Sequence, residues 1–166
     1  MSAGKVWKYG DNINTDIIAP PESMENDIKG ASAYAMSNLD PSFASGFRPG
    51  DYFVTDHNLG SGSSRETAPL ILKELGVRVI VAMDYARIFY RNCINVGIIP
   101  VECAQTDRIS MGDQIDVDYS KGLIRNLTTG ETYQCNRIPA HITAIMQQGG
   151  LIPYLMKEKL HKSKKS

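Results

Sequence analysis

The first two thirds of the chain alternate short apolar runs with segments of helical spacing. Continuous apolar runs at residues 52–55, 77–83 and 98–102 are rich in β-branched side chains, which is typical of strands buried on both faces. Between these runs, residues 68–75 and 86–96 carry apolar side chains three and four positions apart, as an amphipathic helix does. Strand, helix and second buried strand in succession predict parallel crossover units.

The remaining elements are predicted from the same patterns. Residues 5–9 form a strand, residues 28–37 a helix, and residues 139–149 a second helix with one apolar side. Between residues 114 and 136, three period-two strands are separated by hairpin turns at Lys121-Gly122 and Thr129-Gly130. We therefore predict an α/β domain with a mixed sheet over residues 1–156, followed by a solvated basic tail at residues 157–166.

Charge and composition limit the classes of partner that we expect the chain to bind. Lysine plus arginine equals aspartate plus glutamate, at 18 each, so there is no basic field to attract nucleic acid. Residues 1–9 lack a signal-peptide core, and no apolar run approaches the ~20 residues that span a membrane. We expect a cytoplasmic protein that binds neither nucleic acid nor a membrane.

The cysteines do not form a metal-binding pattern. Cys93, Cys103 and Cys135 are far apart, and no C-x-x-C pair occurs. We interpret them as buried free thiols, which suits a reducing compartment, and expect this chain to bind no metal.

Candidate chemistry is concentrated in residues 58–67, N-L-G-S-G-S-S-R-E-T, between a predicted strand and a predicted helix. Such a loop collects unpaired backbone amides beside the positive end of a helix, which together favour an anion. Arg65 stands where a dinucleotide loop needs glycine, and the lysine of a phosphate-binding Walker loop is missing. The guanidinium of Arg65 and the neighbouring hydroxyls suit the carboxylate of an organic acid.

The same loop has a purely structural interpretation. Ser63 and Glu66 have the S-x-x-E spacing of a capping box, in which the two side chains satisfy the first turn of a helix. We assign Glu66 mainly to this cap. Capping and anion binding are compatible, because a cap fixes the geometry that a site needs.

Four ordered motifs give the chain a family resemblance. G-S-G-S-S-R-E at 60–66, N-T-D at 14–16, A-R-I-F-Y-R-N at 86–92 and N-V-G-I-I-P at 95–100 resemble those of 3-isopropylmalate dehydratase small subunits and their aconitase-family relatives. The resemblance extends over roughly residues 5–155. It implies a swivelling β/β/α three-layer domain and a hydro-lyase that is active only with a large subunit. That large subunit is expected to carry a [4Fe–4S] cluster.

The resemblance also implies roles for individual residues. A serine with no base beside it is a poor base by itself, so the remaining chemistry must come from the partner. By motif match, Ser63 removes and returns a carbon-bound proton while the substrate hydroxyl leaves and re-enters. The implied catalytic residues are Ser63 and Asp16, and the implied substrate-binding residues are Arg65, Ser64, Thr15 and Gly62.

The sequence motifs leave the identity of the substrate undecided. Relatives usually carry an arginine in the segment that corresponds to residues 20–26, and this chain has none; Thr67 also replaces a histidine that is common there. The leading substrate is 3-isopropylmalate, of leucine biosynthesis, with homoaconitate, methylcitrate and 2,3-dimethylmalate as alternatives. A non-catalytic module that binds small anions is the alternative of another class. For Arg87 and Arg91 three roles are open: binding the substrate, contacting the other subunit, or a purely structural one. We interpret His57 as structural.

Overall fold

A computed structural model describes residues 3–165 of the chain. Within these residues the strands are β1 (Gly4–Lys8), β2 (Tyr52–Val54), β3 (Val79–Ala82), β4 (Ile99–Glu102), β5 (Gln114–Asp118), β6 (Leu123–Asn126) and β7 (Thr132–Gln134). The α-helices are α1 (Thr15–Ile18), α2 (Ile28–Ser32), α3 (Phe43–Gly46), α4 (Thr67–Glu74), α5 (Arg87–Val96), α6 (Ala140–Gln147) and α7 (Leu151–Lys165).

The seven strands of the described chain form one mixed sheet in the order β4-β3-β2-β1-β5-β6-β7. Strands β1 to β4 pair in parallel, each with the next in the chain. Strand β5 pairs antiparallel with β1, and β5, β6 and β7 continue as a meander. The parallel crossovers and the mixed α/β sheet are therefore confirmed.

Period-two alternation sends the side chains of the parallel strands into two different cores. On one face, Trp7, Phe53 and Ile80 pack with the buried residues of the helices, such as Leu72 of α4. On the other face, the alternate strand residues pack with the antiparallel meander. The members of this second core from β1, β2, β3, β5 and β6 are Val6, Tyr52, Val54, Val81, Ile115, Val117 and Ile124. Helices, parallel strands and antiparallel strands thus form three layers, which explains why the parallel runs read as continuously apolar.

Two predicted segments differ from the structure. The helix predicted for residues 28–37 ends at Ser32, and the chain continues in turns with a positive φ of 61° at Met36. The basic segment predicted as a tail is helical through Lys165, as the continuation of α7 from Leu151, although its described side chains from 157 to 164 are exposed. Residue 166 lies outside the described residues. No helix within residues 3–165 has the length and apolar character that crossing a membrane requires.

The thiols are free, as predicted. Cys93 and Cys103 are buried, whereas Cys135 is only half-buried. Desolvation raises the pKa of Cys93 and Cys103, and raises that of Cys135 to about 11. All three sulfurs are therefore protonated and weakly nucleophilic near neutral pH.

Candidate functional site

The predicted site residues meet at the carboxyl edge of the parallel strands. The segment after β1, the loop after β2 and the segment after β3 are joined there by backbone hydrogen bonds. The Gly60 amide donates to the Ile13 carbonyl at 2.7 Å, and the Leu59 amide to the Asp84 carbonyl at 3.2 Å. Carboxyl ends of parallel strands share one edge of a sheet, and ligands of α/β proteins bind there.

Two glycines shape the loop after β2. Gly60 has a φ of +87°, and a Cβ added to it would lie 2.0 Å from Cγ of Phe89 on α5. Gly62 has a φ of +116°, and a Cβ there would lie 2.8 Å from the Thr15 hydroxyl oxygen. Only a residue without a side chain fits either place, because the loop passes directly over its neighbours.

Ser63 is exposed at the tip of this loop. Its amide donates to the Thr15 hydroxyl oxygen at 2.9 Å, and its own Oγ accepts a hydrogen bond from the Arg65 amide at 3.1 Å. The capping box with Glu66 is therefore wrong: α4 begins at Thr67, and Glu66, at the N-cap position, makes no side-chain capping bond. The physical reason is that a serine hydroxyl can satisfy an amide two residues ahead instead of a helix end.

A residue of α5 holds the loop from the other side. Nδ2 of Asn92 donates to the Ser64 carbonyl at 2.9 Å, and Asn92 is 8% exposed. Sequence reasoning gave Asn92 no role, although it closes the A-R-I-F-Y-R-N motif. Its pairing with a loop 28 residues earlier requires the packing of α5 under that loop.

The segment after β1 supplies the facing wall. Asn14 caps the short helix α1, because its side-chain oxygen accepts from the Ile17 amide at 2.9 Å. This leaves Asp16 exposed in the first turn of α1, and its carboxylate forms no hydrogen bond or ion pair with the residues that the structure describes. Turn formation, the structural alternative for Asp16, is therefore carried by Asn14.

A small cleft joins the predicted residues. Thr15, Asp16, Ser63 and Arg65 line it together with Met24, and its volume is about 30 Å³. That volume is about a tenth of the roughly 300 Å³ of the smallest usual ligand pockets, so an organic acid must extend out of the cleft. The cleft is the floor of a site whose roof the described residues do not supply.

The cleft offers unpaired donors for an anion. The guanidinium of Arg65 forms no hydrogen bond or ion pair within residues 3–165. Over the same described range, the amides of Gly62 and Ser64, on either side of Ser63, have no acceptor. Two free amides and one free guanidinium around an exposed hydroxyl can bind a carboxylate.

An ion pair that the sequence did not predict lies at the same edge of the sheet, after β2 and β3. Nδ1 of His57 lies 2.7 Å from Oδ2 of Asp84, and the side chains are 62% and 56% exposed. The hydrogen bond to Asp84 raises the pKa of His57, and the same bond lowers the pKa of Asp84. Asp84 is 27 residues from His57 and follows a different strand, so no local sequence pattern pairs the two residues.

The remaining candidates are two arginines of α5 and the residue types that bind metals. Arg87 and Arg91 are exposed on α5, so their role stays a prediction. Among residues 3–165, no group of three or more His, Cys, Asp and Glu side chains could hold a metal ion.

A larger cavity of about 300 Å³ lies at the amino ends of the strands, on the opposite edge of the sheet.

The chain is similar in sequence to named proteins. A family model described as the aconitase C-terminal domain matches residues 40–106. The 3-isopropylmalate dehydratase small subunit 1 of Archaeoglobus fulgidus is 43% identical over 152 residues, which cover 91% of this chain and 94% of that protein. The isopropylmalate/citramalate isomerase small subunit of Methanocaldococcus jannaschii is 41% identical over 157 residues, covering 93% and 94%.

The fold has a close match among solved structures. A crystal structure of 3-isopropylmalate dehydratase from Methanocaldococcus jannaschii matches with a TM-score of 0.92 and 37% identity, covering 99% of this chain and 98% of that one. The match confirms the mixed-sheet α/β fold that the sequence predicted.

Proposed function

Because this chain belongs to the family of 3-isopropylmalate dehydratase small subunits, we propose that it is the small subunit of a hydro-lyase of the aconitase family. The enzyme isomerises a 2-hydroxy acid by removing water and adding it back, and 3-isopropylmalate of leucine biosynthesis is its substrate. The three free thiols support the cytoplasmic location of such an enzyme.

One observation carries the proposal for the site. The Ser63 hydroxyl is exposed on a cleft that also contains Asp16 and Arg65, and the Arg65 amide donates directly to Ser63 Oγ. A donor aimed at this oxygen stabilises its negatively charged form more than its neutral form. The amino end of α4, four residues further along, adds a positive partial charge. Ser63 is thus the group on this chain that is best placed to take a proton.

In the proposed reaction, Ser63 acts as a base and then as an acid. Its alkoxide removes the carbon-bound proton of the hydroxy acid and becomes a hydroxyl, while a carbon–carbon double bond forms, the adjacent carbon–oxygen bond breaks and the substrate hydroxyl leaves toward the partner subunit. During rehydration the hydroxyl returns the proton, so that the serine is regenerated. Thr15, which is 5% exposed and bonded to the Ser63 amide, positions this oxygen and does not itself react.

The cations and amides bind the substrate. Arg65 takes a carboxylate through two parallel hydrogen bonds, and the free amides of Gly62 and Ser64 add donors to the same group. Asp16, whose carboxylate faces the cleft without a partner among the described residues, orients the substrate and the groups around it. Together they hold the reacting carbon over Ser63.

The partner is a large subunit, which completes the roof of the site. A [4Fe–4S] cluster held by that subunit would act as a Lewis acid on the substrate hydroxyl. The size of the cleft supports a site shared by the two subunits, since about 30 Å³ on this chain cannot enclose a dicarboxylic acid. Substrate is therefore enclosed only between the two subunits.

The variable group of the substrate is apolar. Met24, from the segment at 20–26 in which relatives carry an arginine, lines the cleft and is 49% exposed. No basic residue occurs between residues 19 and 28 to meet a further carboxylate. An isopropyl group suits this surface better than the extra carboxylate of homoaconitate or methylcitrate does. Citramalate, whose variable group is also small, is the second candidate, since one relative bears that name.

Reconstitution tests the proposal. The chain is mixed with a cluster-bearing large subunit, and turnover of 3-isopropylmalate is compared for Ser63→Ala and for Ser61→Ala, a matched change in the same loop. We expect kcat to fall by about 10²–10⁴-fold for Ser63→Ala only, the usual contribution of acid–base catalysis. Gel filtration checks that both variants still assemble. Equal turnover of the two assembled variants would leave the chain as an anion-binding module without catalysis.

A further inference from the structure

A second cavity of the described residues lies away from Ser63. Its volume is about 300 Å³, and its walls include the first residues of β2, β3 and β4. Residues Thr143, Met146 and Gln147 of α6 form another wall. The amino ends of parallel strands lie at the opposite edge from their carboxyl ends, so a strand length of roughly 10 Å separates this cavity from the catalytic loop.

The floor of the cavity is apolar. Val79 and Ile99, at the starts of β3 and β4, line it together with Met146. These three side chains belong to or pack against the core between the parallel strands and the meander. None of the eight residues of α6, all of them described, is fully buried, so the helix covers this floor without filling it.

The rim carries polar groups that no described residue satisfies. Arg78 is exposed, and its guanidinium has no hydrogen bond or ion pair within residues 3–165. The hydroxyl of Tyr119, a half-buried residue on the same wall, likewise forms no hydrogen bond in that part of the chain. A free guanidinium and a free phenol above an apolar floor are the features of a small-molecule pocket.

We propose that this cavity is a second ligand site, which binds a small carboxylic acid with an apolar body. The carboxylate pairs with Arg78 and Tyr119, and the hydrocarbon part covers the floor formed by Val79, Ile99 and Met146. At about 300 Å³ the cavity lies at the small end of the roughly 300–1,000 Å³ range of ligand pockets, which suits a small acid of about five to seven carbons. The site goes beyond the proposed catalytic function and needs no large subunit.

Asp51 sets the orientation of this ligand. Its Oδ2 accepts from Nε1 of Trp7 at 3.1 Å and from the Arg48 amide at 3.0 Å, so the carboxylate is fixed on its wall of the cavity. A second anion beside it is disfavoured, which leaves the Arg78 side for the ligand carboxylate. A hydroxyl or ammonium group on the ligand would instead face Asp51.

The test uses the isolated full-length chain and a matched pair of probes, 4-methylpentanoate and its neutral amide. Binding is followed by NMR of backbone amides, which also shows where each probe binds. We expect shifts around residues 78, 97 and 119, and binding of the amide at least about tenfold weaker, because a charge-assisted hydrogen bond is lost. The 2-hydroxy and 2-amino derivatives of the acid then report whether a donor facing Asp51 tightens binding.

Variants decide between this cavity and the catalytic loop. Arg78→Gln is expected to weaken the binding of 4-methylpentanoate at least about tenfold. Arg65→Gln in the catalytic loop and Arg137→Gln, an exposed arginine outside the cavity, should leave it unchanged. Thr143→Phe, which enlarges a side chain on the cavity wall, should abolish it. Any one of four results would overturn the proposal. These are equal binding of acid and amide, an unchanged affinity in Arg78→Gln, chemical-shift changes confined to residues 60–66, and no binding at millimolar concentration.

Discussion

The Thr15 hydroxyl accepts a hydrogen bond from the Ser63 amide at 2.9 Å, across 48 positions of the chain. The Thr15 amide in turn donates to the Ser61 carbonyl at 2.9 Å. Thr15 itself is buried, at 5% exposed, although Ser63 is exposed. The segment after β1 therefore fixes the loop that presents the proposed base.

Replacing Thr15 tests this arrangement. Thr15→Val keeps the shape but removes the acceptor, which leaves the Ser63 amide unsatisfied. We expect the free energy of unfolding to fall by about 1–3 kcal/mol. We also expect kcat of the reconstituted enzyme to fall at least about tenfold, because small misplacements of a catalytic group are costly. Thr15→Ser retains the hydroxyl and serves as the control; equal kcat values for both variants would show that the bond does not position Ser63.

Gly62 can be compared with a glycine of similar backbone conformation. Gly62 and Gly112 have φ values of +116° and +86°, so alanine strains either position, at about 1–2 kcal/mol. Only at Gly62 does the new Cβ approach another group, the Thr15 oxygen at 2.8 Å, whereas the surroundings of Gly112 are open within 4 Å. Denaturation should show that both variants lose stability, and kinetics should show that only Gly62→Ala loses activity. Full activity of Gly62→Ala would mean that the loop shifts without consequence.

Asn92 is expected to stabilise the loop through the Ser64 carbonyl. Asn92→Ala removes a buried donor at 2.9 Å from that oxygen and should lower the free energy of unfolding by about 1–3 kcal/mol. It should also raise KM for the hydroxy acid, since Ser64 flanks the proposed carboxylate site. Asn95→Ala, one turn further along α5, is the control and should change stability by no more than about 0.5 kcal/mol. The prediction is wrong if the two substitutions have the same effect on KM.

The ion pair of His57 and Asp84 predicts a dependence on pH. The hydrogen bond to Asp84 raises the pKa of His57, so the folded chain keeps this proton to a higher pH than the unfolded chain does. The stabilisation is complete below the ordinary histidine pKa of about 6.5 and disappears as the pH rises through the folded-state pKa. The lowered pKa of Asp84 has its effect at acid pH. There the folded chain loses stability as the pH falls through the folded-state pKa of Asp84.

An NMR titration measures this effect directly. Asp84→Asn should lower the pKa of His57, while its remaining oxygen can still accept from the Asn58 amide, as the carboxylate does. The wild-type chain is titrated under the same conditions as the reference. An unchanged titration of His57 in this variant would mean that Asp84 does not govern its protonation.

Met24 should control the choice of substrate. Met24→Arg places a cation on the wall of the cleft, so we expect kcat/KM for homoaconitate to rise about tenfold or more relative to 3-isopropylmalate. Met156→Arg, a methionine that is 62% exposed on α7, is the matched control. Competition between the two acids in the reconstituted enzyme measures the ratio. If both variants keep the original ratio, the segment at 20–26 does not contact the variable group.

Local pattern was enough for most of the fold. The apolar runs became β2, β3 and β4, and the period-two stretch with its two glycine turns became the meander β5 to β7. The helix predicted for residues 28–37 ends at Ser32, because the amides of Ala33, Tyr34 and Ala35 donate to carbonyls three residues back, as in successive turns, and not four back as in an α-helix. Its apolar spacing still buries Ala35 and Met36 in the core.

The sequence by itself determined which residues could do chemistry: a loop of glycines, serines and Arg65 is a strong local signal wherever it occurs. Tertiary structure alone decided which contacts each of them makes. Ser63 could cap a helix or accept from an amide two residues ahead. In the second arrangement, which the structure has, Thr15 accepts from the Ser63 amide and Asn92 donates to the Ser64 carbonyl. His57 acquired its acid in the same way, from the end of a neighbouring strand. Parallel strands bring their carboxyl ends to one edge, so residues far apart in the chain share hydrogen bonds that no local pattern encodes.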